Sequence, residues 1–156
     1  MVSRRLMLLG GAALALARPS LGRAATFPMT LTDVQWKGRL KPDQYQILRK
    51  AGTEIPFTSP LLKEHREGVF GCAGCEQDLF SSKTKFESGT GWPSFWRPLP
   101  GAVVTKEDRS IGEVRTEVLC SRCGGHLGHV FEDGPKPTGL RYCMNGLALT
   151  FRPSKV

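Results

Sequence analysis

Cys72-Ala73-Gly74-Cys75 and, after 44 intervening residues, Cys120-Ser121-Arg122-Cys123 are two Cys-x-x-Cys pairs of the same form. Each pair places two thiols on one tight turn. Four thiolates complete the tetrahedral shell of a zinc ion, with Zn–S bonds of about 2.3 Å, so the spacing predicts a closed, structural metal site. The stretch between the pairs is long enough for several strands to form before the two knuckles meet. Two other readings exist. One Cys-x-x-Cys pair is enough for a thioredoxin-like dithiol, and in an oxidising compartment the four cysteines could form two disulfides.

Outside the knuckles the chain reads as β-rich. With 18 Gly and 11 Pro in 156 residues it favours turns and short strands over long helices. One helix is expected, over Lys41–Lys50, where Tyr45 and Leu48 sit at helical spacing, Pro42 occupies the first turn and Gly52 follows the end. Strand texture appears at Val69-Phe70, at Ala102-Val103-Val104, from Glu113 to Leu119 with Val114 and Val118 apolar, and from Gly139 to Phe151. No linker divides the chain after residue 25, so 26–156 is read as one domain.

Residues 1–25 have the form of an export signal peptide: Arg4-Arg5, an apolar run from Leu6 to Ala17, and small residues around Ala24-Ala25. The apolar run is too short to span a bilayer comfortably. Ser3-Arg4-Arg5 resembles a twin-arginine motif, with Met7 where Phe is usual; a general secretory signal is the alternative. The expectation is export, to the periplasm, with no transmembrane segment in the mature chain. The segment carries four arginines and no acid, so its removal would leave 18 basic against 14 acidic residues, a net +4 in place of +8. A charge that small gives no ground for a nucleic-acid partner.

The fifth cysteine stands apart, in Arg141-Tyr142-Cys143-Met144-Asn145. If this run is extended, Arg141, Cys143 and Asn145 share one face, and Tyr142 and Met144 the other. A cation two residues from a thiol favours the thiolate, and an amide beside it offers a hydrogen bond at the reacting atom. Cysteine is also a common buried packing residue, although two polar face-mates are unusual company for one. His126 and His129, in Gly125-His126-Leu127-Gly128-His129, would face opposite sides of a regular strand, so their convergence needs a bulge or turn, which Gly128 permits. Four cysteines already complete a metal shell, which makes the pair a proton-handling one in preference to metal ligands. The run from Phe86 to Trp96 is a tight Gly- and Pro-containing loop whose aromatics are either core or pocket; composition favours core.

These motifs together, Phe86-Glu87-Ser88-Gly89-Thr90-Gly91-Trp92-Pro93-Ser94-Phe95, His126 to Phe131 and Arg141 to Asn145, interleaved with the two cysteine pairs, resemble the type B methionine sulfoxide reductases. The resemblance runs from about Trp36 to Phe151 and includes Gly52-Thr53-Glu54 and Pro56-Phe57. It departs at Ile55, where the family often has Arg.

The resemblance implies a mainly β fold (α+β with a short N-terminal helix), built of two antiparallel sheets tied by zinc on Cys72, Cys75, Cys120 and Cys123. It implies thiol-dependent reduction of the R epimer of methionine sulfoxide, free or in proteins. Cys143 would be the nucleophile and pass through a sulfenic acid. His126, His129 and Asn145 would serve the sulfoxide oxygen, Trp92 would wall the pocket for the substrate methyl group, and Arg141 would favour the thiolate and order that face. Many relatives carry a resolving cysteine at the position of Thr90, so a one-cysteine form is expected. An external thiol or dithiol donor would reduce it, a thioredoxin-like or membrane-fed protein outside the cytoplasm. A zinc-ribbon-like interaction module is the competing reading: it needs the knuckles but neither Cys143 nor the histidines.

Overall fold

The computed structural model describes residues 26–155, and the segment read as an export signal lies outside them. Among the described residues nine strands form two antiparallel sheets. The smaller has β1 (Gly68–Cys72) between β2 (Asp78–Ser81) and β9 (Leu149–Pro153). The larger runs, edge to edge, β3 (Lys85–Phe86), β4 (Ser94–Phe95), β8 (Arg141–Met144), β7 (His126–Phe131), β6 (Arg115–Cys120) and β5 (Val103–Asp108).

Each knuckle is the turn of a hairpin. The first joins β1 to β2 and the second joins β6 to β7, so each sheet contributes one pair of thiols. The sheets also share an aromatic core. Phe80 stacks on Phe95 at 4.4 Å between centroids, and Phe70 meets Phe95 edge-on at 5.0 Å. All three rings are fully buried. Burying a side chain of this size stabilises by roughly 1.5–3 kcal/mol, and a good ring pair adds about 0.5–1.5 kcal/mol. Edge strand β5 is largely exposed, and its charged Lys106, Glu107 and Asp108 discourage further pairing at that edge.

The expected helix is present as α2 (Pro42–Lys50), with Pro42 at its first position and Tyr45, Ile47 and Leu48 buried. A second helix, α1 (Asp33–Arg39), precedes it and was not anticipated. It is too short to show an apolar period, but a capping box marks its start: Gln35 N donates to Thr32 Oγ1, and Thr32 N donates to Gln35 Oε1 at 2.8 Å. Both helices pack on the knuckles, where a Cβ at Gly74 would touch Trp36 and Leu48. Arg49 donates to the Cys123 carbonyl at 3.0 Å. Among the described residues no helix is long and apolar enough to cross a membrane.

Two strand expectations need correction. Val114 precedes β6 and is exposed, because the β5–β6 hairpin turns there. Gly139 to Phe151 is two strands in different sheets, separated by a 3-10 turn at Gly146–Ala148. The cause is Glu54, a buried carboxylate that accepts from Gly146 N at 2.5 Å and Leu147 N at 2.9 Å and caps that turn.

Candidate active site

Strand β8 lies inside the larger sheet, where Cys143 is directly opposite Ser94 of β4 on one side and His129 of β7 on the other. The alternation holds as far as Met144, which is fully buried, while Cys143 is half-buried and faces a cavity of about 120 Å³. Trp92, Arg115, His129, Phe131 and Asn145 also line it.

The two histidines do converge. Leu119 pairs with His126 while Val118 pairs with Gly128, so β7 carries one extra residue against β6. That bulge turns His126 toward the side of His129, and the ring centroids are 5.4 Å apart. Gly128 is required here, since a Cβ would collide with the Cys143 carbonyl.

The two rings are held differently. His126 Nδ1 donates to Glu117 Oε1 at 2.6 Å, and Lys106 bonds the other oxygen of that buried carboxylate at 2.9 Å. An ionised carboxylate only accepts, so the bond fixes the proton on Nδ1 and leaves Nε2 with a free lone pair. Nε2 is buried and has no protein partner. Burial pushes the His126 pKa below the usual histidine value, with the Glu117 bond opposing. His129 is attached through its other nitrogen. Nε2 lies 2.8 Å from Asp108 Oδ2, the oxygen that also accepts from Arg115 at 2.6 Å. The Ser110 amide, then its own bonds to His129 and Arg115, hold the Asp108 carboxyl well below the usual range.

Asn145 lines the cavity but sits after the end of β8, and much of its amide is engaged. Its Oδ1 accepts from Glu54 N at 2.9 Å and its Nδ2 donates to Leu127 O at 3.2 Å, leaving one N–H. Trp92 is positioned by an Nε1 bond to Glu54 O at 3.2 Å. Arg141 does not line the cavity. It makes two bonds to Asp133, at 2.8 and 2.7 Å, and stacks on Phe131 at 4.5 Å. The Asp133 bond raises its pKa first, and the Cys143 sulfur adds to the rise. Sequence reasoning passed over Glu117, Asp108, Arg115 and Glu54.

Away from this cavity the four knuckle cysteines cluster, all buried, with every Sγ within 4.8 Å of the others. Cys72 and Cys123 are 3.8 Å apart, and Cys75 and Cys120 3.5 Å. A tetrahedron with 2.3 Å metal–sulfur bonds has edges of about 3.8 Å, so the cage fits the ion that the spacing implied. The thiols also hold one another's protons: bonds from Cys120 and its neighbours push Cys72 and Cys123 up, while Cys75 and Cys120 are pulled down. A cation between them would favour the thiolate form of all four.

A half-buried cysteine beside histidines, set in a sheet joined to its partner sheet at a cluster of four other thiols that could hold a metal, defines the class of thiol-based oxidoreductases. Comparison with known proteins narrows the class. The SelR domain profile matches residues 40–153. The chain is 55% identical over 127 residues to a peptide methionine sulfoxide reductase MsrB of Leptospira interrogans, covering 81% of this chain and 97% of that protein. It is 54% identical over 123 residues to the MsrB of Agrobacterium fabrum (78% and 91%) and 56% over 122 residues to that of Methanosarcina barkeri (78% and 86%). The chain belongs to the SelR-domain family, the type B methionine sulfoxide reductases.

Proposed function

We propose that this protein reduces the R epimer of methionine sulfoxide, in peptides and proteins, with Cys143 as the nucleophile. The observation that carries the reading is the placement of the half-buried Cys143 thiol across the β7–β8 pairing from His129, in a cavity walled by Trp92. The sulfur attacks the sulfoxide sulfur, the oxygen passes to Cys143 and the thioether leaves. Overall, a thiol and a sulfoxide give a sulfenic acid and methionine.

Charge grows on the sulfoxide oxygen during attack, so a proton donor has to face it. Asp108 holds the His129 ring at Nε2 and leaves Nδ1 for the oxygen, which makes His129 the donor. His126, kept neutral by burial, accepts a proton at Nε2 from a water. The free amide proton of Asn145 assists at the oxygen. Arg141 orders the β8 face through Asp133. Trp92 and Phe131 form the apolar wall against which the methyl group packs.

Thr90 Oγ1 is 3.7 Å from Cys143 Sγ, at the place where a resolving thiol would stand, and the other four cysteines cluster together in the cage away from this cavity. The sulfenic acid is therefore reduced by two thiols supplied from outside, giving water and the donor's disulfide. Zinc is the proposed occupant of the cage. It supplies stability and no chemistry at Cys143. Residues 1–25 are proposed to direct export by the twin-arginine route, which carries folded proteins and would allow metal loading in a reducing compartment first.

The deciding experiment is turnover of separated R and S epimers of a methionine sulfoxide peptide by residues 26–156 with dithiothreitol. Loss of the R epimer alone, abolished by Cys143→Ser, is expected. A folded, metal-loaded protein that turns over neither epimer would leave only the zinc-ribbon-like interaction module.

A further inference from the structure

A file of hydroxyl groups ends on the Cys143 sulfur. Ser94 Oγ donates to Trp92 O at 3.1 Å and lies 2.7 Å from Ser88 Oγ, which lies 2.8 Å from Thr90 Oγ1, which in turn is 3.7 Å from Cys143 Sγ. Thr90 N also donates to Ser88 Oγ at 3.4 Å. The loop from Ser88 to Ser94 closes this file on itself, because Ser94 is the residue paired with Cys143 across β4 and β8.

A hydroxyl has one proton and two lone pairs, so the direction of the file follows from its far end. The single proton of Ser94 is taken by the Trp92 carbonyl. Ser94 must then accept from Ser88, and Ser88, its proton used, must accept from Thr90. The proton of Thr90 is thus directed away from the sulfur, and what it presents to Cys143 is a lone pair.

We propose that the Ser94–Ser88–Thr90 file acts on the nucleophile as a hydrogen-bond acceptor of fixed direction. Thr90 Oγ1 accepts from the Cys143 S–H before the reaction, and after it holds the sulfenic acid by accepting from its O–H. The inference rests on Cys143 being the nucleophile. It gives the missing resolving cysteine a substitute function. Further oxidation of a sulfenic acid to a sulfinic acid by peroxide proceeds fastest through the sulfenate anion, and an acceptor on the S–O–H group disfavours that anion. Thr90 touches the reacting atom and is a catalytic residue in this sense; Ser88 and Ser94 are positioning residues that act through it.

The test uses residues 26–156 with the metal cage loaded, and reads alkylation of Cys143 by iodoacetamide at pH 7, with Cys143→Ser as the blank. In Ser94→Ala, Ser88 loses its acceptor, its proton is free to turn to Thr90, and that of Thr90 to the sulfur. The thiolate gains a donor, and alkylation is expected to accelerate roughly tenfold, as one hydrogen bond to a charged group implies. In a Thr90→Val background the same Ser94→Ala change is expected to do nothing, since the link to sulfur is gone. Ser94 is buried, so Ser88→Ala, which breaks the file at a half-exposed position, provides the same reading if Ser94→Ala fails to fold. Formation of the sulfinic acid under peroxide without thiol should rise in both variants.

An unchanged alkylation rate in both serine variants, or an equal acceleration with and without Thr90, would overturn the proposal. Neither assay uses a sulfoxide, so a chain lacking reductase activity would still give an answer, and epimer turnover reports separately on the enzymatic reading.

Discussion

Glu117 Oε1 lies 2.6 Å from His126 Nδ1, with both side chains buried between β6 and β7. This contact holds the ring proton on Nδ1 and leaves Nε2 as the nitrogen with a free lone pair. Replacing the carboxylate in Glu117→Gln keeps the shape but offers the ring an amide that can donate as well as accept, so the tautomer is no longer fixed. We expect kcat to fall roughly tenfold to a hundredfold with KM little changed, as for a displaced proton-handling group. Nitrogen-15 NMR of the imidazole reads the tautomer itself. A variant with normal kcat and an unaltered spectrum would show that Glu117 merely fills space.

Thr90 and Cys143 are close enough for chemistry. In Thr90→Cys, attack on substrate should be followed by loss of water as the introduced thiol reaches the sulfenic acid, converting the protein to a two-cysteine form. Intact mass after one turnover without reductant should then show a disulfide between positions 90 and 143. The unsubstituted protein should retain one sulfenic acid, trapped by dimedone. An internal disulfide in the unsubstituted protein would contradict the one-cysteine reading.

Asp108 holds His129 and Arg115 on one oxygen. Asp108→Asn replaces an acceptor-only group with an amide that can donate as well as accept, so the contact at Nε2 no longer fixes the orientation of the His129 ring. The expected result is a kcat lowered roughly tenfold to a hundredfold with KM little changed. An unaltered kcat would exclude Asp108 as the group that places His129.

The metal cage should behave as structure. Cys72 is fully buried at the end of β1, opposite Leu149 of β9, so its loss loosens both the cage and the smaller sheet. Cys72→Ser is expected to lose bound zinc and several kcal/mol of stability together, and chelation of the parent protein to lower its Tm. Full zinc stoichiometry at normal Tm would remove Cys72 from the site.

What the sequence disclosed follows the range of each interaction. The knuckles could be read because both thiols of a pair lie within four residues, and the Arg141 to Met144 alternation because a strand repeats every two. The bulge that brings His126 to His129 was inferable from Gly128, since only a residue without a side chain fits against the Cys143 carbonyl. Glu117 could have been suspected from a charge placed among the buried residues of β6. Asp108, Arg115 and Glu54 carried no such mark. Their partners are set by strand register or by a loop that returns from far along the chain: Glu54 caps a turn 92 residues away. Asn145 was placed on the strand face because nothing local announced that Glu54 would end β8 there.

Burial of His126 has a consequence for acid stability. Its folded pKa is lowered from 6.5, so between the two values the unfolded chain binds a proton that the folded protein does not. Stability then rises with pH across this interval, and is lost as pH falls from about 6.5 until the folded ring itself protonates. The lowered carboxylate of Asp108 contributes in the same direction but only below its ordinary value of 3.8, so the two windows do not overlap. The Tm of the metal-loaded protein should therefore decline between pH 7 and pH 5, and decline less in His126→Gln, which cannot charge. If the two proteins lose Tm in parallel across that range, another group carries the acid sensitivity and the buried ring is not the titrating one.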